Sequence, residues 1–357
     1  MDYKGRIQRL QHKLIHQSLP SALVTNLTDI FYLTGLQLSA GKMVVTSKNA
    51  TLIVDGRYIE KCQADSPIPV LLSEKNALWE CLINQSTLAI DSDGISYQSF
   101  IDLQIEANER AIHLLPVKGL FTDLRAIKDR EEIHLLQESA RLCVQGFDYA
   151  CSLLSEGISE ETVAQELELF WKRQGRTSLS FDPIIAFGAN SSMPHYRAGK
   201  KALKKGDIVL IDIGVELNSY HSDMTRVVFF GDVNIELKKI YDIVYQAFQK
   251  AASFCRPGIL IGELDEIARA VIREAGYGDC FNHSLGHGIG LEVHEYPIIK
   301  QKMKYSELPL KAGMVITIEP GVYLSTIGGV RLEDTFLITE TGCESLTPCS
   351  YLHRKYV

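Results

Sequence analysis

One stretch, residues 207–231 with the sequence DIVLIDIGVELNSYHSDMTRVVFFG, constrains the fold more than any other part of the chain. Its two halves are apolar, rich in β-branched residues and each about one strand long. The segment ELNSY between them is polar and typical of a turn, so the sequence predicts a β-hairpin. Apolar residues and glycine flank Asp212 on both sides, which predicts that the first strand is buried on both faces.

Asp212 is the anomaly in this strand. A buried carboxylate is costly unless it is paired with a cation or binds a metal. Asp223 lies beyond the turn on the returning strand, so the hairpin can bring two carboxylates together. Two interpretations stay open from this stretch alone. Asp212 is a salt-bridged core residue beside an unrelated turn aspartate, or the two carboxylates belong to one site.

The composition limits the classes of function. A chain of 357 residues with 46% hydrophobic residues predicts two domains with sizeable cores. The net charge of −7 argues against nucleic acid as the main partner. The sequence contains no apolar run of transmembrane length and no signal-peptide core, so we expect no membrane partner. The eight cysteines form no CxxC pair, which favours reduced thiols in a cytoplasmic protein.

Two domains are predicted, with the boundary where the charged segment LRAIKDREEIHLL begins. Residues 1–124 alternate short strands with helical stretches, which predicts a small α/β domain without a cluster of His, Cys, Asp and Glu. Residues 125–357 show the order helix, helix, hairpin twice, which predicts an α+β domain with an internal repeat. The second hairpin has strands near residues 314–318 and 330–338 and carries Glu319 and Glu333. Pairing the two halves would bring four carboxylates together.

Four carboxylates in one buried place repel each other, and two divalent cations would offset their charge. The candidate imidazoles lie in NHSLGHGIGLEVHEYP, where glycines separate His283, His287 and His294. Mixed oxygen and imidazole ligands suit Mn²⁺, Zn²⁺, Co²⁺ or Fe²⁺ better than Ca²⁺. His195, in SSMPHYRAG, is a weaker fourth candidate, because a single histidine there is also compatible with an ordinary loop.

As a set, the motifs IDIGVELNSYHSDMTR, HSLGHGIGLEVHEYP, TIEPGVY and GGVRLEDT resemble those of the pita-bread metallopeptidases. That family includes Xaa-Pro aminopeptidases, Xaa-Pro dipeptidases and methionine aminopeptidases. The resemblance covers roughly residues 125–341. It implies the creatinase/aminopeptidase fold with a pseudo-twofold repeat. The segments TNLTDIFYLTG and VDGRYIEKC resemble the creatinase-type N-terminal domain, which favours the proline-specific branch.

The resemblance also implies roles for individual residues. The five metal ligands fall on Asp212, Asp223, His287, Glu319 and Glu333, none of them substituted. Asp212 would bind one metal, His287 and Glu319 the other, and Asp223 and Glu333 both. The implied catalytic residues are His195, His294 and Glu319, and the implied substrate contacts are His195, His283, His294 and Arg331. Tyr220 matches a family tyrosine that lies behind the metal ligands. Asn218 and Ser219 depart from the family at a turn where glycine is common.

The implied activity is hydrolysis of the Xaa-Pro bond at the N-terminus of peptides, with two divalent ions, most of all Mn²⁺, that lower the pKa of a shared water towards about 7. An aminopeptidase is expected rather than a dipeptidase, because residues 295–312 contain no arginine to hold the carboxylate of a C-terminal proline. Arg197 is the alternative arginine, and Arg331 is shared by both branches. A metal-free interaction protein of the same fold is the minor alternative from another class, and the intact set of five ligands argues against it. The resemblance further implies a homodimer or larger assembly.

Overall fold

The computed structural model describes residues 1–175 and 177–348. The chain divides into two compact units, Met1–Arg125 and Ala126–Val357. The assignment of separate functions to residues 1–124 and 125–357 stays a proposal. The seven described cysteines form no disulfide, and Cys349 lies outside the described residues. Among the described helices, none is both long and apolar enough to cross a membrane.

The first unit is built on one six-stranded sheet with the order β4-β3-β2-β1-β5-β6. Its strands are β1 (Ser21–Val24), β2 (Lys42–Thr46), β3 (Ala50–Val54), β4 (Val70–Leu72), β5 (Thr87–Asp91) and β6 (His113–Val117). Its helices are α1 (Tyr3–His16), α2 (Leu27–Thr34), α3 (Ile59–Asp65), α4 (Ala77–Glu80), α5 (Tyr97–Asn108) and α6 (Thr122–Ala126). The strand β6 contains Pro116, which removes a backbone donor and suits the edge position that this strand occupies.

Within its described residues, 126–175 and 177–348, the second unit contains four long helices and thirteen short strands. The helices are α7 (Arg130–Leu153), α8 (Glu160–Arg173), α9 (Ile235–Phe254) and α10 (Ile261–Glu274). The strands are β7 (Thr177–Leu179), β8 (Ile184–Phe187), β9 (Asp207–Ile213), β10 (Val215–Leu217), β11 (Tyr220–His221), β12 (Met224–Phe230), β13 (Gly286–Gly288), β14 (Glu295–Ile299), β15 (Val315–Ile318), β16 (Gly321–Leu324), β17 (Gly328–Arg331), β18 (Asp334–Ile338) and β19 (Cys343–Ser345). Two single-turn 3-10 helices lie at Gly188–Ser192 and Gly278–Cys280.

The predicted repeat of helix pair and hairpin is present. The helices α7 and α8 precede the sheet β12-β9-β8, and α9 and α10 precede the sheet β14-β13-β15-β18-β19. Large apolar clusters hold the helices against the sheets, for example Phe248 and Ile316 in one and Phe147 and Ile211 in the other. The two halves meet where Glu333 N–H donates to the carbonyl of Thr225 at 3.1 Å.

The first hairpin is confirmed, with β9 and β12 antiparallel and Asp212 opposite Thr225. Its tip leaves the sheet after Gly214, where β10 pairs with β11 on one side and with β7 on the other. A Cβ at Gly214 would lie 2.2 Å from the carbonyl oxygen of Ser222, so the close approach at this bend requires glycine. The turn itself uses Asn218 and Ser219, both at positive φ.

The second hairpin differs from its prediction. The predicted strand at residues 330–338 is two strands in different sheets: β17 ends at Arg331, and β18 begins at Asp334. Leu332 and Glu333 lie in the gap. Apolar and polar residues alternate from Val330 to Glu333, and the alternation ends at Asp334. The change of sheet depends on strand partners that this local pattern does not contain.

Gly146 provides a test of packing between α7 and α8. A Cβ at this position would lie 2.5 Å from the ring of Trp171, whose Nε1 donates to the carbonyl of Leu142 at 3.1 Å. We predict that Gly146→Ala lowers the free energy of unfolding by about 1–3 kcal/mol, because overpacking outweighs the better helix propensity of alanine. Urea denaturation measures the change. In a double-mutant cycle, the smaller ring of Trp171→Phe should relieve part of the loss, and strictly additive effects would contradict the clash.

Candidate metal centre and active site

The five predicted ligands come from the ends and interruptions of strands in both halves of the second unit. Asp212 is on β9, Asp223 precedes β12, His287 is on β13, Glu319 follows β15, and Glu333 lies between β17 and β18. At such positions the sheet holds the backbone, while the side chain can face the cleft instead of the apolar core. The structure brings all five to the wall of one cleft of about 530 Å³.

The centre of this cluster is compact. Ligand atoms of Asp223, His287 and Glu333 all lie within 4.8 Å of one another. The Nε2 atom of His287 is 3.6 Å from Oδ2 of Asp223 and 3.5 Å from Oε1 of Glu319. The four carboxylates and one imidazole therefore face a common space.

His287 is oriented as a ligand. Its Nδ1 lies 3.1 Å from the carbonyl oxygen of Gly288, so Nδ1 carries the proton and donates it. The lone pair of Nε2 then points towards Asp223 and Glu319. Burial lowers the pKa of His287 to about 4, and the neighbouring His294 adds to the effect. A neutral imidazole with a fixed tautomer is the form that binds metals.

The pKa values of three carboxylates in the cleft are shifted upwards, in the opposite direction from the pKa of His287. Burial, and next the charge of Glu333, raise the pKa values of Asp223 and Glu319 well above their usual range. Burial and the charge of Asp212 raise the pKa of Glu333 to about 8. Among the described residues, Oδ1 of Asp212, Oδ1 of Asp223 and Oε1 of Glu333 are buried without a hydrogen-bond donor. Because divalent cations would satisfy these oxygens and remove the repulsion, the residues fit a two-metal centre.

Arg331 is buried beside the cluster. Its Nη2 donates to Oδ2 of Asp212, its Nη1 to the hydroxyl of Tyr323 at 2.8 Å and its Nε to the hydroxyl of Thr225 at 3.1 Å. Thr225 in turn donates to Oε2 of Glu333 at 2.6 Å. Arg331 thus supports the acids directly, while its substrate contact stays a prediction.

The sequence did not single out Thr225 or Tyr323. Both are common residue types at strand positions, but each lies within two or four residues of a predicted ligand. This short distance along the chain is the signal by which the sequence could have indicated them.

The remaining predicted residues surround the acids. His283 lies with Nε2 2.9 Å from the hydroxyl of Tyr323, and burial followed by the charge of Arg331 lowers its pKa to about 3. His195 and His294 are exposed on the cleft wall. The ring centroid of His294 is 4.3 Å from that of His287. Burial lowers the pKa of His294, and the nearby His195 contributes.

Tyr220 is fully buried, and its hydroxyl donates to Oε1 of Glu132 at 3.0 Å, in the first turn of α7. That contact ties the tip of the first hairpin to a helix. The role of Tyr220 behind the metal ligands stays a prediction.

Comparison with known proteins adds the family. Residues 134–340 match metallopeptidase family M24, and residues 6–127 match the creatinase/prolidase N-terminal domain. The chain belongs to metallopeptidase family M24. The resemblance to the pita-bread metallopeptidases and the predicted fold class are thereby confirmed.

Several proteins similar to this M24 member over nearly its whole length are named as proline peptidases. It is 38% identical to an Xaa-Pro dipeptidase of Pyrococcus furiosus over 96% of this chain and 98% of the relative. The prolidase structure from Pyrococcus horikoshii OT3 is similar with a TM-score of 0.91 and 37% identity, over 99% of this chain and 100% of that chain. An X-Pro aminopeptidase from Thermotoga maritima is similar with a TM-score of 0.86 and 29% identity, over 96% and 98%.

Removing a shared ligand tests the metal centre. We predict that Asp223→Ala or Glu333→Ala abolishes peptidase activity and removes at least one divalent ion, because each side chain would serve both ions. Elemental analysis of protein purified without chelator measures the loss. Glu344→Ala, an exposed acid on β19, is the control and should keep both metal and activity. A Glu333→Ala variant with full metal content and near-normal turnover would exclude a two-metal role for this residue.

A substitution of His294 shows whether this residue is a metal ligand or a hydrogen-bond donor to the substrate. We predict that His294→Ala keeps the metal content but lowers kcat by about two to three orders of magnitude, as loss of an oxyanion donor does. The two measurements are made on the same preparation. Loss of metal with unchanged kcat per bound ion would show instead that His294 is a ligand or a structural residue.

Proposed function

We propose that the chain is an Xaa-Pro dipeptidase with two divalent metal ions, Mn²⁺ first among the candidates. The observation that carries the proposal is the cleft with four carboxylates, His287 and an exposed arginine on its wall. In addition, relatives that match this chain over nearly their whole length are named Xaa-Pro dipeptidases. The dipeptidase therefore replaces the aminopeptidase as the main interpretation. A homodimer in the cytoplasm stays a prediction of the sequence.

Arg197 is the group that would hold the carboxylate of the C-terminal proline. It lines the cleft together with His195 and the metal-site acids. Its contact in the cleft is with Asp182, whose Oδ2 lies 3.7 Å from Nη2 of Arg197, and both side chains are largely exposed. Exposed ion pairs of this kind contribute little, so the guanidinium is available to a substrate carboxylate that it can hold with two hydrogen bonds.

The residues of the cleft divide the chemical work. When bound, the two metal ions supply a water of lowered pKa and polarise the substrate carbonyl. Oε1 of Glu319 lies 3.5 Å from Nε2 of His287, and the Glu319 carboxylate can accept a proton from the attacking water and give it to the proline nitrogen that leaves. His195 and His294 donate hydrogen bonds to the oxygen on which charge develops. The X–Pro bond has no N–H, so recognition depends on these groups and on the shape of the wall.

The Xaa-Pro aminopeptidase stays the second candidate, on one specific observation. Residues 295–312 contain no arginine, and the residue of that segment on the cleft wall is the apolar Ile298. An apolar wall there accepts the continuing chain of a longer peptide as readily as a free carboxylate.

Peptide length distinguishes the two candidates. We predict that kcat/KM for a Xaa-Pro dipeptide exceeds that for the same peptide extended by two residues by about tenfold or more, because the extended peptide places no carboxylate at Arg197. Arg197→Gln should abolish this preference mainly by raising KM for the dipeptide. Lys200→Gln, which removes an exposed cation from the same loop, should leave it unchanged. Equal or better cleavage of the extended peptide by the unmodified enzyme would establish the aminopeptidase.

A further inference from the structure

Glu160 is a buried carboxylate outside the metal centre. It is the first residue of α8 and is fully buried. Its Oε1 accepts hydrogen bonds from the N–H of Phe187 and from Nδ2 of Asn190, both at 2.8 Å. Its Oε2 accepts from the hydroxyl of Tyr196 at 2.7 Å and from the N–H of Gly199 at 3.2 Å. One carboxylate thus joins four donors that are distant from it in sequence.

These donors bracket the segment 187–199, which carries two of the cleft residues. Tyr196 lies between His195 and Arg197 in the chain, so its hydrogen bond to Glu160 also restrains the backbone of these two neighbours. The far end of the segment is also attached to α8, because Glu161 N–H donates to the carbonyl of Gly199 at 2.9 Å. The segment is therefore fastened at its start, its middle and its end by the first turn of one helix.

The chemistry of these contacts favours a rigid segment. Hydrogen bonds to an ionised carboxylate are stronger than those between neutral groups, and the N-terminus of α8 stabilises the negative charge. Burial, and next the hydrogen bond to Glu160, raise the pKa of Tyr196 to about 12, so its hydroxyl keeps the proton that it donates.

We propose that Glu160 is a positioning residue for catalysis: it holds the segment 187–199 so that His195 and Arg197 face the substrate. The proposal rests on the proposed function, because it assigns a role to the two residues that would contact the reacting carbonyl and the proline carboxylate. Glu160 itself touches neither the substrate nor the metal ligands. A displacement of about 1 Å in such groups can lower the rate about 100-fold.

The variant Glu160→Gln tests the proposal. Glutamine keeps the shape but exchanges one acceptor oxygen for a donor, so at least one pair of the four donors loses its partner. We expect the bound metal to be unchanged and kcat/KM for a Xaa-Pro dipeptide to fall about 10- to 100-fold. In a background that carries both His195→Ala and Arg197→Gln, the same substitution should lower kcat/KM by less than about threefold, because both side chains that Glu160 positions are already absent.

Asp91→Asn is the matched control. Asp91 is a buried carboxylate of the first unit that accepts from the N–H of Leu120 at 2.7 Å and from that of Asp93 at 3.1 Å. The Asp91→Asn substitution should lower the melting temperature without lowering kcat/KM. If Glu160→Gln does not fold, Tyr196→Phe removes a single donor to Glu160 and should show a smaller decrease of the same kind.

Three results would overturn the proposal. The first is a Glu160→Gln variant that matches the control, with reduced stability and unchanged kcat/KM. The second is loss of metal from this variant. The third is an effect of Glu160→Gln that multiplies fully with that of the combined His195→Ala and Arg197→Gln substitutions. Both the dipeptide and its extended form are assayed. If the unmodified enzyme prefers the extended peptide, the dipeptidase assignment fails, while the effect of Glu160→Gln is still measured on that peptide.

Discussion

Repulsion among four buried carboxylates is the interaction on which the rest of the second unit depends. Without cations, the acids can remain buried only by taking up protons, as the raised pKa values of Asp223, Glu319 and Glu333 indicate. Arg331 offsets part of the charge at Asp212. The remaining repulsion and the orphaned oxygens are what two divalent ions would remove. The cluster is therefore unfavourable in itself and becomes favourable through binding.

The fold provides the cluster by interrupting strands. In each half of the repeat, a hairpin strand leaves its sheet close to an acid: at Gly214, beyond Asp212, and at Leu332, before Glu333. The backbone bond from Glu333 to Thr225 then joins the two interruptions. A pseudo-twofold arrangement of helices and sheets thus places ligands from four distant parts of the chain in one place, while the apolar clusters behind them supply the rigidity that a metal site requires.

Features of the fold and the site that have a local signal in the sequence could be predicted, and those that depend on distant partners could not. Helix starts have local signals such as the N-cap, as at Ser159, whose side chain accepts a hydrogen bond from Thr162 N–H. The candidate ligands stood out because acids in apolar strands are rare, and the structure brings them together. The strand interruption at Glu333 was missed because a change of sheet depends on strand partners, which a local pattern of residues does not contain. Glu160 carries no such signal in the sequence, since its partners at residues 187–199 are known only from the folded chain.

The number of metal ions bound per chain is the most direct test of this account. Protein purified without chelator, dialysed against Mn²⁺ and freed of excess ion, is analysed for its elements alongside peptidase activity. We predict about two divalent ions per chain. Chelator should remove both ions together with the activity, and added Mn²⁺ should restore both ions and the activity. Full activity in protein that binds no metal, or a single ion that restores all activity while the second position never fills, would contradict it.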